Sequence, residues 1–222
     1  MCGIAGLCWL PDAHSPSAED RLEGALAALR RRGPDDQGSW VSRQGPVHVA
    51  VGNTRLAVQD LTSNAHQPMA SPNGRFVLAY NGEISNFRAL RQELSQSGWQ
   101  FTSDGDTEVL LAAWSAWGAN ALQRLEGMYA FAIVDRALQT LTLCRDPFGI
   151  KPLYVSDQEG TQIAFGSELH AVLSLMPAQP RLDWSTALEF VTRGIYDEGT
   201  ATFVKGIRRL EPGERIEIRL QQ

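Results

Sequence analysis

Cysteine stands at position 2, between Met1 and Gly3. A small side chain after Met1 favours removal of that methionine. Cys2 is then the N-terminal residue, with a thiol and a free α-amino group on neighbouring carbons. Free cysteine titrates near 8.5 and a free α-amino group near 7.7–8.0. An amine that takes the thiol proton during attack removes the need for a preformed thiolate, so one residue supplies both nucleophile and base. Taken alone, Cys2 also fits a plain small residue near the start of a strand. Three further clusters bear on the choice. Tyr80-Asn81-Gly82-Glu83 ends the apolar run Phe76-Val77-Leu78-Ala79. Asn-Gly at a strand end is ordinarily a turn. The functional alternative is an oxyanion hole made by the Asn81 side-chain amide and the Gly82 backbone N–H. One such donor is worth about 2.7–4 kcal/mol in a transition state. Arg55 lies in the strand-like run Asn53–Val58. It reads as an edge residue, an interface anchor, or a planar fork for a carboxylate. Asp104-Gly105-Asp106-Thr107-Glu108 opens a helix. The acids there either cap the helix and complement its dipole or hold a substrate ammonium, and spacing leaves both readings open.

Other catalytic signatures are absent. There is no Gly-x-Ser-x-Gly, no His-Glu-x-x-His and no Gly-x-x-x-x-Gly-Lys loop. His14, His48, His66 and His170 are scattered and support no His-dependent triad. Cys8 and Cys144 make the cysteine count odd, with no Cys-x-x-Cys pair. Neither a disulfide framework nor a metal site is expected, and both residues read as buried small hydrophobes in a reducing compartment.

Elements that would position these residues follow from periodicity. Ser17 and Asp20 have capping-box-like spacing, and Leu22, Leu26 and Leu29 recur on one face, so a helix is expected over Ser17–Arg32 before Gly33-Pro34. The run Arg30-Arg31-Arg32 reads as a helix end complementing the dipole. Strands are expected at Pro46–Gly52 and Arg75–Tyr80. Helices are expected from Asn86 as N-cap to Ser97, and from Asp106 to Trp117. Met128–Val134, Thr140–Cys144, Leu153–Val155 and Gln162–Phe165 read as a β-meander. Helices at Glu168–Leu175 and Asp183–Thr192 follow, then a strand at Arg215–Leu220. Helices and strands come in blocks, which favours α+β with antiparallel sheets.

The chain has 222 residues, 43% hydrophobic and 20% charged, with net charge −5. That suits one large domain whose core needs no disulfide or metal. The acidic balance speaks against nucleic acid as a partner. No run reaches the roughly 18 apolar residues of a membrane span, and no secretory leader is recognisable, so a cytoplasmic location and no membrane partner are expected.

In order along the chain, the motifs resemble those of the class II glutamine amidotransferases, which are N-terminal-nucleophile hydrolases. The subfamily looks like the glutaminase domain of asparagine synthetase B. The resemblance spans residues 1–222 as a single domain. It is carried by MCGIAG at the start, RRGPDDQG from Arg31, RLAVQDL from Arg55, HQPM from His66 and YNGEISNF from Tyr80. It continues through DTEVLL from Asp106, GMYAFAIVD from Gly127, RDPFGIKPLY from Arg145, FGSE from Phe165 and KGIRRLEPGE from Lys205.

The resemblance implies a four-layer αββα sandwich. It implies that Cys2, freed of Met1, attacks the side-chain amide of L-glutamine and forms a thioester that hydrolyses to glutamate, with ammonia as the useful product. By the same resemblance, Asn81 and Gly82 form the oxyanion hole and Arg55 holds the α-carboxylate. Asp106 and Glu83 lie near the α-amino group, and the backbone around Leu56 and Val58 walls the pocket. No cofactor or metal is implied for this domain. ATP and magnesium belong to a synthetase domain carrying Ser-Gly-Gly-x-Asp-Ser, a motif absent here. That partner is expected in a longer protein or as a separate chain, with residues 203–222 resembling the hand-over to it. Aspartate is the default ammonia acceptor. Another carboxylate in a polysaccharide or peptide pathway, a non-catalytic scaffold role and a homodimer are left open. Two positions depart from the family pattern: Asn53 where histidine is usual, and Ser85 where tyrosine is usual.

Overall fold

A computed structural model describes residues 1–11, 17–158, 162–177, 179–195 and 199–221. Two antiparallel sheets lie face to face, each covered on its outer side by helices. The first sheet runs β10 (Ile207–Arg209), β8 (Tyr154–Gln158), β9 (Gln162–Gly166), β1 (Gly3–Trp9), β3 (His48–Arg55), β2 (Asp36–Ser42). The second runs β11 (Arg215–Arg219), β7 (Thr140–Arg145), β6 (Gly127–Asp135), β5 (Phe76–Ile84), β4 (Met69–Ala70). Helices α1 (Ala18–Leu29) and α4 (Leu169–Leu175) cover the first sheet, and α2 (Phe87–Gln96) and α3 (Asp106–Trp117) cover the second. A further helix, α5 (Trp184–Arg193), has no buried residue. The expected αββα sandwich is therefore found. Among the described residues no helix is long and apolar enough to cross a membrane.

The period-two alternation of strands sorts residues between layers. On β1, Ala5 and Leu7 face α1 and α4, while Ile4 and Cys8 face the second sheet. On β5, Val77 and Ala79 enter the space between the sheets, while Phe76, Leu78, Tyr80 and Ile84 pack under α2 and α3. Leu22, Leu26 and Leu29 of α1 are buried as their spacing predicts. Ser17 accepts the Asp20 N–H at 3.0 Å, so the cap is formed as read.

Four expectations are corrected. The arginine run begins at the helix end but does not fill its last turn: α1 stops at Leu29 with Arg30 as C-cap, and its last turn carries no basic residue. The stretch expected as a β-meander is split. β6 and β7 stay in the second sheet, while β8 and β9 pair in the first, because the loop Asp146–Leu153 carries the chain across. Asn81-Gly82 is no turn either; both residues lie inside β5, opposite Ala130 and Tyr129 of β6. Strand β3 runs on to Arg55 rather than ending at Gly52.

Gly6 leaves room for the Phe165 ring between the sheets. A Cβ there would lie 2.4 Å from that ring and 2.5 Å from the Ala50 carbonyl oxygen. Replacing a strand glycine recovers about 0.5–1 kcal/mol of chain entropy, whereas overpacking costs about 1–3 kcal/mol. The neighbour includes backbone that cannot rotate away, so the clash dominates. Gly6→Ala is expected to lower the urea midpoint by a net loss of about 1–2 kcal/mol; an unchanged or raised midpoint would contradict this packing.

Candidate active site

Strand β5 outruns its neighbour. β4 pairs only with Leu78 and Val77, yet β5 continues to Ile84. Beyond that point the outer edge of β5 has backbone groups with no strand beside them. Those of Tyr80 are taken by side chains: its N–H donates to Gln67 Oε1 at 2.7 Å, and its carbonyl accepts from Asn53 Nδ2 at 3.0 Å. Both partners are buried, Asn53 completely. Two residues on, alternation turns the Gly82 N–H to the same open edge. The Asn81 side chain projects between the sheets, in line with Val77 and Ala79. Asn81 is 1% exposed, and its Nδ2 has no hydrogen-bond partner among the described residues. Such an orphaned buried donor is costly unless an acceptor arrives. Glycine is required at 82, because a Cβ would fall 2.6 Å from the Met128 carbonyl oxygen and equally close to the Tyr80 ring.

Cys2 sits at the start of β1, the strand buried on both faces at the centre of its sheet. Its carbonyl accepts from Arg32 Nε at 2.9 Å, and Arg32 also pairs with Glu168 at 3.1 Å. Two residues on, Ile4 and Ser167 exchange two hydrogen bonds of 3.0 and 2.8 Å. Arg32, the last of the arginine run, thus anchors the N-terminal segment. Gly33 lets its segment press on the end of β3, where a Cβ would meet the Thr54 carbonyl at 2.3 Å. Asp35 then accepts the Ala57 N–H at 2.8 Å. This shapes the turn that brings Leu56 to Cys2: the Leu56 N–H lies 3.4 Å from the Cys2 sulfur. Burial pushes the other two thiols up, Cys8 to about 12 and Cys144 also upward. As small buried residues they match expectation, and they leave Cys2 as the accessible thiol among the three.

Charged residues line the cavity that holds the sulfur. Arg55, at the end of β3, is buried and donates to the carbonyls of Thr62 and Asp60. Burial works to raise the Asp60 carboxyl, but hydrogen bonds from Thr62 and the Asp104 N–H, with the Arg55 charge, hold it below the usual range. Asp106 is the first residue of α3, with Gly105 as N-cap. Its Oδ2 accepts from the Tyr80 hydroxyl at 2.7 Å and the Ile84 N–H at 2.9 Å. Burial is the larger influence on it and raises its carboxyl above the usual range against those two bonds. Burial, with Asp106 next, also holds the Tyr80 phenol well above its ordinary value. Glu83 is exposed at the rim.

All eight residues singled out in the sequence line one cavity of about 180 Å³: Cys2, Arg55, Leu56, Val58, Asn81, Gly82, Glu83 and Asp106. Met1 lines it too. Sequence reasoning did not single out Gln67, Tyr80, Asp60 or Lys151, which share the cavity. Tyr80 and Gln67 belong to the motifs YNGEISNF and HQPM, but nothing in their spacing says that one ties down the other. The two departures also find places. Asn53 bridges β3 to β5 through Tyr80, and Ser85 donates from Oγ to the Glu126 carbonyl at 2.9 Å.

The chain matches the family described as "Glutamine amidotransferase domain" over residues 1–222. It is 38% identical over its whole length to a putative glutamine-hydrolyzing asparagine synthetase of Mycobacterium tuberculosis, covering 36% of that protein. It is 35% identical to glutamine-hydrolyzing asparagine synthetase 3 of Bacillus subtilis, over 97% of this chain and 34% of the relative. The chain thus spans about a third of the length of these relatives. Among solved structures, the glutamine phosphoribosylpyrophosphate amidotransferase of B. subtilis superposes with a TM-score of 0.69 at 22% identity, over 98% of this chain and 47% of that one. That likeness is one of fold. The chain belongs to the glutamine amidotransferase domain family, class II, of the type found in asparagine synthetases.

A raised Asp106 carboxyl makes a pH-dependent difference. The folded state holds its proton above the ordinary value of 3.8, so stability falls as pH rises from 3.8 through the folded value. Asp106→Asn removes that slope while keeping an oxygen for Tyr80 and Ile84. Urea midpoints at pH 4 and pH 7 should show the variant gaining on the parent chain as pH rises. A gap that stays constant, or widens against the variant, would contradict the costly buried carboxylate.

Proposed function

We propose that this domain hydrolyses L-glutamine to L-glutamate and ammonia through Cys2, with Met1 removed so that Cys2 carries the free α-amino group. The sulfur attacks the glutamine Cδ while the α-amino group takes the thiol proton. The carbonyl oxygen becomes an oxyanion that accepts hydrogen bonds from Asn81 Nδ2 and the Gly82 N–H. Collapse of that intermediate breaks the C–N bond. The leaving nitrogen takes the proton from the α-ammonium and departs as ammonia. Water, deprotonated by the same amine, then attacks the thioester and releases glutamate and the thiol.

The observation that carries this reading is the orphaned Asn81 amide: a buried donor, without a partner, beside the one accessible thiol. The charges around it suit a zwitterionic amino acid. Arg55 takes the α-carboxylate with guanidinium hydrogens not spent on Thr62 and Asp60. Asp106 and Glu83 take the α-ammonium, and Leu56 and Val58 form the wall. Glutamine is therefore held by its α-groups at one end of the cavity, with its amide at Cys2. The chemistry uses no cofactor or metal within this domain.

The relatives named as asparagine synthetases extend the reading. Ammonia passes to an ATP-dependent synthetase domain, in the same longer protein or as a partner chain, in the cytoplasm. That domain binds ATP and magnesium, and aspartate is its acceptor by default.

Mass spectrometry of the purified protein should show Met1 missing, and that protein should release glutamate from glutamine. Cys2→Ala should abolish release without changing the melting temperature. Asn81→Ala should lower kcat by about 10²–10³-fold with little change in KM. Arg55→Ala should mainly raise KM. Undiminished release by Cys2→Ala, or an active protein that retains Met1, would rule the mechanism out.

A further inference from the structure

The loop that crosses between the sheets is built around two side chains. Asp146 is fully buried, and its carboxylate accepts the N–H groups of Tyr129, Phe148, Ile150 and Lys151 at 3.3, 3.1, 3.0 and 2.9 Å. Arg145 binds carbonyls from the other side: Gly149 at 2.6 Å, Lys151 at 2.9 Å, and Leu210. Lys151 is therefore held twice, its N–H by Asp146 and its carbonyl by Arg145. Gly149, at φ 64°, supplies the turn that allows both.

The loop places its side chains against the usual preference. Phe148 is 80% exposed and Ile150 56%, whereas Lys151 is 7% exposed and lines the cavity with Cys2. Lysine is almost never this buried unless paired. No carboxylate among the described residues forms an ion pair with it. Its ammonium is not among the sealed, partnerless polar atoms either. The opening left to it is the cavity. A cation kept there with no ion-pair partner among the described residues is suited to negative charge that arrives or develops in that space.

Topology says which charge. Arg55 enters from the end of β3, on one side of β1. Lys151 leads into β8, which lies beyond β9 on the other side of β1. In the second sheet, Arg145 pairs with Ala130, and Ala130 pairs with Asn81. The loop therefore leaves that sheet along the row of Asn81, on the side of the reacting amide rather than of Arg55.

We infer that Lys151 is a further electrostatic residue of the reaction centre: its ammonium stabilises the negative charge that develops on the Cys2 sulfur and on the oxyanion held by Asn81 and Gly82. Lys151 acts through its charge alone, and no bond to it forms or breaks. The inference rests on the glutamine-hydrolysing reading and adds to it a cation that the steps above do not use. The Asp146–Arg145 cradle is what keeps that cation aimed inward.

Lys151→Met keeps the stem and removes the charge; Lys151→Arg keeps the charge. Thermal melts first establish that each variant folds, with Lys151→Gln in place of the methionine variant should that one fail. Two readouts follow. Glutamate release by Lys151→Met should show kcat lowered about tenfold or more with KM changed little, and Lys151→Arg should recover most of the loss. Alkylation of Cys2 by iodoacetamide at neutral pH, which needs no glutamine, should be at least about threefold slower in Lys151→Met and near the parent rate in Lys151→Arg. Parental kcat and alkylation in Lys151→Met would overturn the inference, as would an effect on KM or melting temperature alone. The two readings fail separately. A parent chain inactive on glutamine ends the proposed function, and the alkylation rates still decide whether Lys151 serves the Cys2 sulfur.

Discussion

One mismatch in strand length organises the site: β5 is nine residues long and its outer neighbour β4 only two. A sheet edge normally has to hide its unpaired backbone groups. Here the edge is used. The Tyr80 groups are closed off by Gln67 and Asn53, which fixes the strand in register with the first sheet. The next outward-facing N–H, that of Gly82, is left for a ligand, and the Asn81 amide beside it is left without a partner. Had β4 continued, the Gly82 N–H would have been consumed by its ladder. In the proposed reaction, the preorganisation that the oxyanion needs comes from the incompleteness of an otherwise ordinary antiparallel sheet. Its cost is offset by the packed core on either side of β5.

The same logic governs the charges. Asp106 is held by Tyr80 and Ile84, yet burial still raises its carboxyl. Asp60, hydrogen-bonded by Thr62 and Asp104 and next to Arg55, is shifted the other way. Two acids of one cavity therefore differ in kind. Asp60 is satisfied internally and serves to set Arg55, whereas Asp106 is under-compensated and gains from an arriving cation. Interactions that are left incomplete in the free protein give a ligand its largest differential effect. A zwitterion meets such a site with a positive end for Asp106 and a negative end for Arg55.

Much of this was legible in the sequence because it was written in short contiguous motifs. The helices α1, α2 and α3 follow from apolar spacing and from their Ser, Asn and Gly boundaries. Of the cavity residues, Cys2, Arg55, Asn81, Gly82, Glu83 and Asp106 follow from such stretches, whereas Leu56 and Val58 follow only from the family resemblance. What was illegible is long-range. β1 carries two glycines and is buried on both faces, so it shows no alternation. β2 is an edge strand of mixed polarity with Gly38 inside it. Asn81-Gly82 carries a turn signature, but pairing with β6 overrides it. Arg30–Arg32 looks like a helix end because local rules cannot see Cys2 thirty residues away, whose carbonyl Arg32 binds. The same limit hides the crossing loop, since nothing local says that β8 belongs to the other sheet.

Placing a nucleophile at a chain terminus runs against the tendency of termini to fray. The fold answers by attaching Cys2 to the most constrained strand available. β1 has neighbours on both edges, and helices cover one of its faces and the second sheet the other. Arg32 holds the Cys2 carbonyl, Ser167 locks Ile4, and the Leu56 N–H meets the sulfur. In the proposed reaction, a terminal amine joined to that strand inherits its order, so thiol, amine and oxyanion donors keep fixed relative positions although they come from opposite sheets. Positional order of this kind is what converts a reactive residue into a catalyst. It also explains why the anchoring side chains are spread along the chain, at 32, 56 and 167. These long-range contacts hold the Cys2 segment still from three separate parts of the chain.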